Sequence, residues 1–243
     1  IASALVLLSF SGQAAWTEGF ESYPDGNLLS SPWFEGLPSD IIGDQTVTSG
    51  VGFTGKALVG AGLGNVWRAT DPGVTVLTAK LYSEATDYSR YYVGFSAQPT
   101  QSGGFPDTDA VVIYMAYHGG GSFLSLEMYD YDNPTATSGA GVFQGISATD
   151  TGQAVGVLGE TWYDVRITLN GDDTATAEFK EASSPTWLTV GATGIAAIGD
   201  PVNFAPNYVS IRGERGGRID DITVNGVIPE PSSMALILVG LAA

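Results

Sequence analysis

The sequence predicts an all-β fold, a two-sheet antiparallel sandwich or jelly roll, on three observations. Short runs rich in Val, Ile, Thr, Tyr and Phe recur between clusters of Gly, Pro, Asp, Asn and Ser. Several runs alternate apolar and polar residues with a period of two, which turns one set of side chains to a core and the other outward. No window carries the apolar periodicity of an amphipathic helix. Many strands, turn residues between them and no helical stretch make a two-layer β architecture the expected solution. The body shows neither a repeat at solenoid or propeller spacing nor a linker-like shift in composition. One domain over residues 16–228 is therefore expected, between end segments 1–15 and 229–243 of a different character.

Composition narrows the function classes. The 243 residues hold 26 Asp and Glu against 9 Lys and Arg, a net charge of −17, with one His and no Cys. Without Cys there is no disulfide framework, thiolate metal site or cysteine nucleophile. A surface this acidic repels phosphate backbones, so nucleic-acid partners are excluded. At 44% hydrophobic and 11% aromatic residues the chain can fill a core, which excludes disorder throughout.

At the start, Ile1 to Phe10 (IASALVLLSF) is apolar and uncharged, and Ser11-Gly12-Gln13-Ala14-Ala15 is small and polar. That is the h-region and cleavage site of a secretory signal, with cleavage after Ala14 or Ala15 fitting equally well. The stretch is shorter than the roughly 20 apolar residues that span a bilayer. With no charged n-region or initiator Met before it, the segment reads as clipped.

The strands then follow in order. VTVLTAKLY (Val74 to Tyr82), RYYVGFSA (Arg90 to Ala97), AVVIYMAY (Ala110 to Tyr117), SFLSLEMYDY (Ser122 to Tyr131), WYDVRITL (Trp162 to Leu169), TATAEFK (Thr174 to Lys180), NYVSIRG (Asn207 to Gly213) and RIDDITVN (Arg218 to Asn225) are the expected strands. In the fifth, Tyr163, Val165, Ile167 and Leu169 share one face, and Asp164, Arg166 and Thr168 the other. Asn170-Gly171 marks a hairpin, because both residues tolerate positive φ. At the far end, Pro229-Glu230-Pro231 cannot continue helix or central strand, so the body ends before it and the apolar tail from Met234 is a tethered segment.

Two resemblances follow from these residues. Pro229, Glu230 and Pro231, then Ser232-Ser233 and MALILVGLAA, resemble the PEP-CTERM sorting signal of exopolysaccharide-producing bacteria. That resemblance implies an exosortase-type processing enzyme as partner and only transient membrane contact through the tail. It also implies delivery to the surface or extracellular matrix of a Gram-negative bacterium. The family's terminal basic cluster is absent here, and the tail reads as a second truncation. Within the body, Gly159 to Gly171 (GETWYDVRITLNG), TATAEFK and Ser184 to Val190 (SPTWLTV) resemble the strand succession of concanavalin A-like (laminin-G-like) jelly rolls. The opening GFESYPDG and closing RIDDITVNG are similar to that superfamily's first and last strands, which lie side by side. The sandwich hosts lectins, binding modules, glycanases and lyases alike, so it implies no single activity.

Chemistry is sparser. Glycan hydrolysis needs two carboxylates about 5–9 Å apart, and no Glu here is followed by Asp two residues on. Glu127, Asp130 and Asp132 are oddly spaced, so Glu127 needs a bulge to join the others. His118 beside Gly119-Gly120-Gly121-Ser122 is read as a loop or rim residue and the glycines as a turn; no G-x-S-x-G elbow occurs. His118 with Tyr114 or Tyr117 imitates part of a lyase set. Gly60-Ala61-Gly62-Leu63-Gly64 lacks the βαβ context of a dinucleotide site.

Binding is easier to accommodate, because sugar rings stack on aromatic faces and hydrogen-bond at their edges. Trp33, Phe34, Trp67, Tyr91, Tyr92, Tyr114, Tyr129 and Tyr131 are the aromatic candidates, and one of Tyr91 and Tyr92 must face outward. Arg212, Arg215 and Arg218 either decorate a hairpin tip and offset nearby carboxylates, or contact uronate or sulfate groups through their guanidinium forks. A structural calcium between the first and last strands would draw on Glu21 with Asp220 or Asp221, only one of which can point inward. Acidic loops at 104–109, 130–133 and 170–173 are further cation candidates, against a plain solubilising surface. The reading reached is an exported jelly-roll protein, non-catalytic, binding exopolysaccharide. A jelly-roll glycoside hydrolase or lyase and a structural matrix protein without small ligand are the alternatives.

Overall fold

The structure is a computed structural model that describes residues 16–28, 31–35, 45–62, 64–71, 73–86, 88–98, 110–118, 121–130, 142–147, 158–170, 174–190, 195–197 and 206–226. Its strands form two sheets, and the described residues contain no helix. One sheet has ten strands. In spatial order these are β14 (Leu188–Thr189), β13 (Thr174–Glu181), β12 (Trp162–Leu169), β7 (Val74–Tyr82), β17 (Arg218–Gly226), β5 (Lys56–Gly60), β4 (Gln45–Ser49) and β2 (Gly26–Asn27). β1 (Trp16–Glu18) also pairs with β17, and β15 (Ile195–Ala197) with β13. The seven-stranded sheet runs β11 (Val142–Ser147), β10 (Gly121–Asp130), β9 (Ala110–His118), β8 (Arg90–Ser96), β16 (Tyr208–Glu214), β6 (Asn65–Ala69) and β3 (Phe34–Glu35). All these pairings are antiparallel, as the all-β sandwich expectation required.

Alternation sorts the side chains. In β12, Tyr163, Val165 and Ile167 are buried while Asp164, Arg166 and Thr168 lie on the outer face. Leu77, Leu81, Ile219 and Ile222 join them from the same sheet, and Val93, Phe95, Ile113, Met115 and Ile211 from the other, in one core. Each such side chain contributes about 1.5–3 kcal/mol on burial. Tyr91 points into this core, and its hydroxyl donates to Gln45 Oε1 at 3.2 Å. Gln45 in turn donates from Nε2 to the carbonyls of Gly64 and Gly213, at 2.9 Å each, so the buried amide is satisfied. Burial holds the Tyr91 hydroxyl well above its ordinary titration range.

The first and last strands lie side by side, Trp16 opposite Val224 and Glu18 opposite Ile222. The strand precedes the GFESYPDG segment that was expected to form it. Gly19 to Asp25 is instead a turn region, with Phe20 at φ 61° and Tyr23 N–H donating to Phe20 O at 3.2 Å. Glu18 explains the turn: its buried carboxylate accepts from Phe20 N–H (3.0 Å), the Tyr23 hydroxyl (3.0 Å), Trp33 Nε1 (3.1 Å) and Arg68 Nη1 (3.3 Å). Burial and the Glu18 carboxylate push the Tyr23 hydroxyl up to about 12. The signal-like residues 1–15, the Pro229-Glu230-Pro231 motif and the tail that follows it lie outside the described residues.

Candidate functional site

Antiparallel partners share a face, so register alone assembles the outer face of the seven-stranded sheet. Tyr92 stands between Arg212 and Tyr114, Arg90 between Glu214 and Ala116, and Gly94 between Ser210 and Val112. Beyond β16, Trp67 opposes Ser210 and Phe34 opposes Trp67. The period-two pattern of RYYVGFS produces this directly: Tyr91, Val93 and Phe95 enter the core, and Arg90, Tyr92 and Gly94 face outward.

The middle of the face is a charged and aromatic cluster. The rings of Tyr92 and Tyr114 stack at 4.3 Å with 16° between planes, and the Arg212 guanidinium lies 5.9 Å from the Tyr92 centroid. Glu214 bridges two cations: its Oε2 accepts from Arg90 Nη2 at 2.7 Å, and its Oε1 from Arg212 Nη2. Arg212 is 6% exposed, and among the described residues the Nε atoms of Arg90 and Arg212 have no hydrogen-bond partner. Burial works to depress the Arg90 guanidinium, but hydrogen bonds to Glu214 and Tyr114 outweigh it and hold the group above its ordinary value. Next to the cluster, the Ser96 and Ser210 hydroxyls share a hydrogen bond of 2.7 Å.

Towards the β3 edge the face becomes an aromatic platform. Phe34, 47% exposed, stacks on Trp67 at 4.8 Å, and Tyr208 meets Trp67 edge-on at 5.4 Å. What this face exposes is the aromatic edge at Phe34, whereas the Ser96 and Ser210 hydroxyls and the Arg212 and Glu214 side chains are buried.

The structure brings together Trp67, Tyr92, Tyr114 and Arg212 and separates the other two arginines from them. Arg215 sits in the turn between β16 and β17 at φ 49°, 5.1 Å from the Tyr88 ring. Arg218 lies on the other sheet, where it donates to Glu84 at 2.6 Å and covers the Tyr82 ring at 4.4 Å. The three cations near in sequence are therefore split by the hairpin that crosses from one sheet to the other. Trp33 is fully buried and serves Glu18. Arg90, Glu214, Ser96, Ser210 and Tyr208 were not singled out from the sequence. Arg90 and Glu214 stand two residues from Tyr92 and Arg212, so the alternation that put those pairs on one face would have reached them. Tyr131 and the side chains of His118, Tyr129 and Glu127 lie outside the described residues.

The residues proposed for calcium do not form a cage. Glu21 Oε1 accepts the Lys56 N–H at 2.7 Å, while Asp220 accepts from Phe53 N–H at 2.9 Å and Asp221 N–H at 2.8 Å. Among the described residues no three His, Asp or Glu side chains converge on a point. Asp220 and Asp221 do divide as expected, Asp220 buried and Asp221 half-buried, but through a bulge in the β17–β7 ladder between Asp220 and Thr223. The acidic loops at 104–109 and 131–133 lie outside the described residues, as do 171–173.

These two sheets define a concanavalin A-like, legume-lectin-like jelly roll. Among solved structures the chain is similar to a legume lectin-like domain from Entamoeba histolytica, at 10% identity and TM-score 0.50, over 84% of this chain and 97% of that one. It is similar to a glycoside hydrolase family 16 endo-glucanase from Bacteroides ovatus, at 9% identity and TM-score 0.52, over 86% and 97% of the two chains. It is similar also to the GH43 protein BlXynB from Bacillus licheniformis, at 11% identity and TM-score 0.53, over 87% of this chain but 39% of that one. At such identities the likeness shows the fold. No family profile and no curated protein matches the sequence.

Proposed function

We propose that this chain is a carbohydrate-binding jelly-roll protein that binds without turning its ligand over, through the outer face of the seven-stranded sheet. The observation that carries the reading is the Phe34–Trp67–Tyr208 platform, with Phe34 exposed and the ring stack backed by the buried Ser96–Ser210 and Arg212–Glu214–Arg90 contacts. A sugar ring stacks its apolar face on such aromatics. The lectin-like and glycoside hydrolase folds that the chain resembles are consistent with a saccharide ligand.

Hydrolysis is the less supported reading. Glu214 is held between two guanidiniums. Glu127, on β10, lies three strands from it, about 14 Å at the usual spacing of about 4.8 Å per strand. That exceeds the roughly 5–9 Å between paired glycosidase carboxylates. Pairing of β10 with β9 runs without a shift from Gly121 to Tyr129, so it supplies no bulge to join Glu127 with Asp130.

Export and sorting complete the proposal. The apolar opening ending at Ala14-Ala15 supports secretion. The Pro229-Glu230-Pro231 tripeptide before an apolar tail supports processing by an exosortase-type enzyme and delivery to the cell surface or matrix, where exopolysaccharide is the ligand at hand.

A glycan array combined with reducing-sugar and unsaturated-uronate assays on the full chain tests the binding reading. Retention of one or more saccharides without product release is expected, and Trp67→Ala weakens that binding about tenfold or more, in line with loss of one stacking partner. Product release would replace binding by catalysis. Full affinity in Trp67→Ala would remove this face from the account.

A further inference from the structure

A cavity of about 480 Å³ opens on the opposite side of the molecule, against the outer face of the ten-stranded sheet. Its size falls within the range of about 300–1,000 Å³ typical of small-ligand sites. Register builds its floor: Thr17 opposes Thr223, and Thr223 opposes Thr78, so three hydroxyls stand in a row across β1, β17 and β7. Beside them Lys80 opposes Asp164, which opposes Lys180, and the Asp164 carboxylate bonds both ammonium groups, Lys180 at 2.9 Å. Trp187, from the segment between β13 and β14, forms a wall.

That wall is fixed in place. Arg166 lies 4.5 Å and Lys180 5.5 Å from the Trp187 ring centroid. Arg166 is itself held by Glu178 through Nε at 2.8 Å, and Lys180 donates to Ser184 O at 2.8 Å within the same turn. An indole restrained by neighbours on a rigid sheet loses little freedom when a ligand arrives.

The lining chemistry selects the ligand. An apolar molecule would bury threonine hydroxyls and a lysine–aspartate pair without partners, at the cost of their desolvation. A phosphate or sulfate needs cations with spare charge, and both lysines already serve Asp164. An uncharged polyhydroxyl ring fits: a hydroxyl floor, the Lys80–Asp164 pair, the Asp221 carboxylate as a further acceptor that also repels anions, and an aromatic wall. We propose that this groove is a second saccharide site, for an uncharged sugar, independent of the face described above. With sheets stacked about 10 Å apart, one polysaccharide strand cannot reach both faces through the sandwich. A molecule with a site on each face therefore bridges two strands, a role that rests on the reading of the first face, whereas the second site does not.

The test is calorimetric titration of the full chain with cellotetraose, xylotetraose and mannotetraose, and with trigalacturonate as the charged control. For at least one uncharged tetrasaccharide the wild-type chain takes two equivalents. Trp187→Ala and Thr78→Val each weaken one of the two sites about tenfold or more, and Trp67→Ala weakens the other. Thr78→Val is outward-facing and similar in size, so it keeps the fold where Trp187→Ala could disturb the turn. One equivalent unaffected by Thr78→Val, or tighter binding of trigalacturonate to the groove than of any uncharged sugar, overturns the second site. Loss of binding in the groove variants with none in Trp67→Ala sinks the first-face reading and leaves the groove standing. No uptake of any probe overturns both.

Discussion

Asp220 is 1% exposed, and its carboxyl group is pushed up from 3.8 to about 6. Burial is the main cause and the neighbouring Asp221 charge adds to it, while hydrogen bonds from the Asp221, Phe53 and Thr54 N–H groups work the other way. A carboxyl group raised in the fold stabilises it in the protonated form. That contribution is present below about pH 4 and is lost as pH rises through about 6. Asp220→Asn removes this titration. Urea midpoints measured from pH 4 to 7 should therefore show the stability of the natural chain, relative to the variant, declining as pH rises; parallel curves would contradict the burial described for Asp220. The pair Asp220-Asp221 was legible as one residue inward and one outward. Its bulge was not, because a single residue at φ 48° leaves no compositional mark when it is Asp rather than Gly.

At the scale of elements, the long strands were legible and the short ones were not. Val74–Tyr82 and Trp162–Leu169 match their sequence-predicted bounds because eight or nine residues give period two room to show. β2 and β3 have two residues each, too few for any period, β14 is reached only through the likeness of SPTWLTV to a jelly-roll strand, and in β5 the consecutive Ala57 and Leu58 are both buried, which breaks the alternation. The hairpin β16–β17 misled in another way. Arg212, Arg215 and Arg218 are close in sequence, but the chain leaves one sheet at Glu214 and joins the other at Arg218, so proximity along the chain became opposition in space. Beside its register partner Tyr91 on the neighbouring strand β8, Gly213 has no room for a side chain: a methyl group there would lie 2.2 Å from the Tyr91 ring. Gly213→Ala should lower stability by about 2–3 kcal/mol through overpacking, read as a fall in urea midpoint with an unchanged m-value. A change below about 0.5 kcal/mol, the size of a neutral surface substitution, would mean that the Tyr91 ring does not pack over Gly213 as described.

For the molecule as a whole, a net charge of −17 favours uncharged ligands over polyanions. Much of the candidate site was legible, since Trp67, Tyr92, Tyr114 and Arg212 all fall on one face. The groove around Trp187 was not, because its floor is made of threonines from three strands far apart in the chain, which only the pairing register brings into line. The five tryptophans report on the central claim directly. Trp67 lies on the proposed saccharide face and Trp33 is sealed in the core, so their indole N–H signals separate surface binding from general change. In a titration of nitrogen-labelled full chain with the tightest-binding tetrasaccharide, the account predicts a saturating shift of the Trp67 indole signal while Trp33 stays in place. A saturated complex in which Trp67 does not move would contradict it.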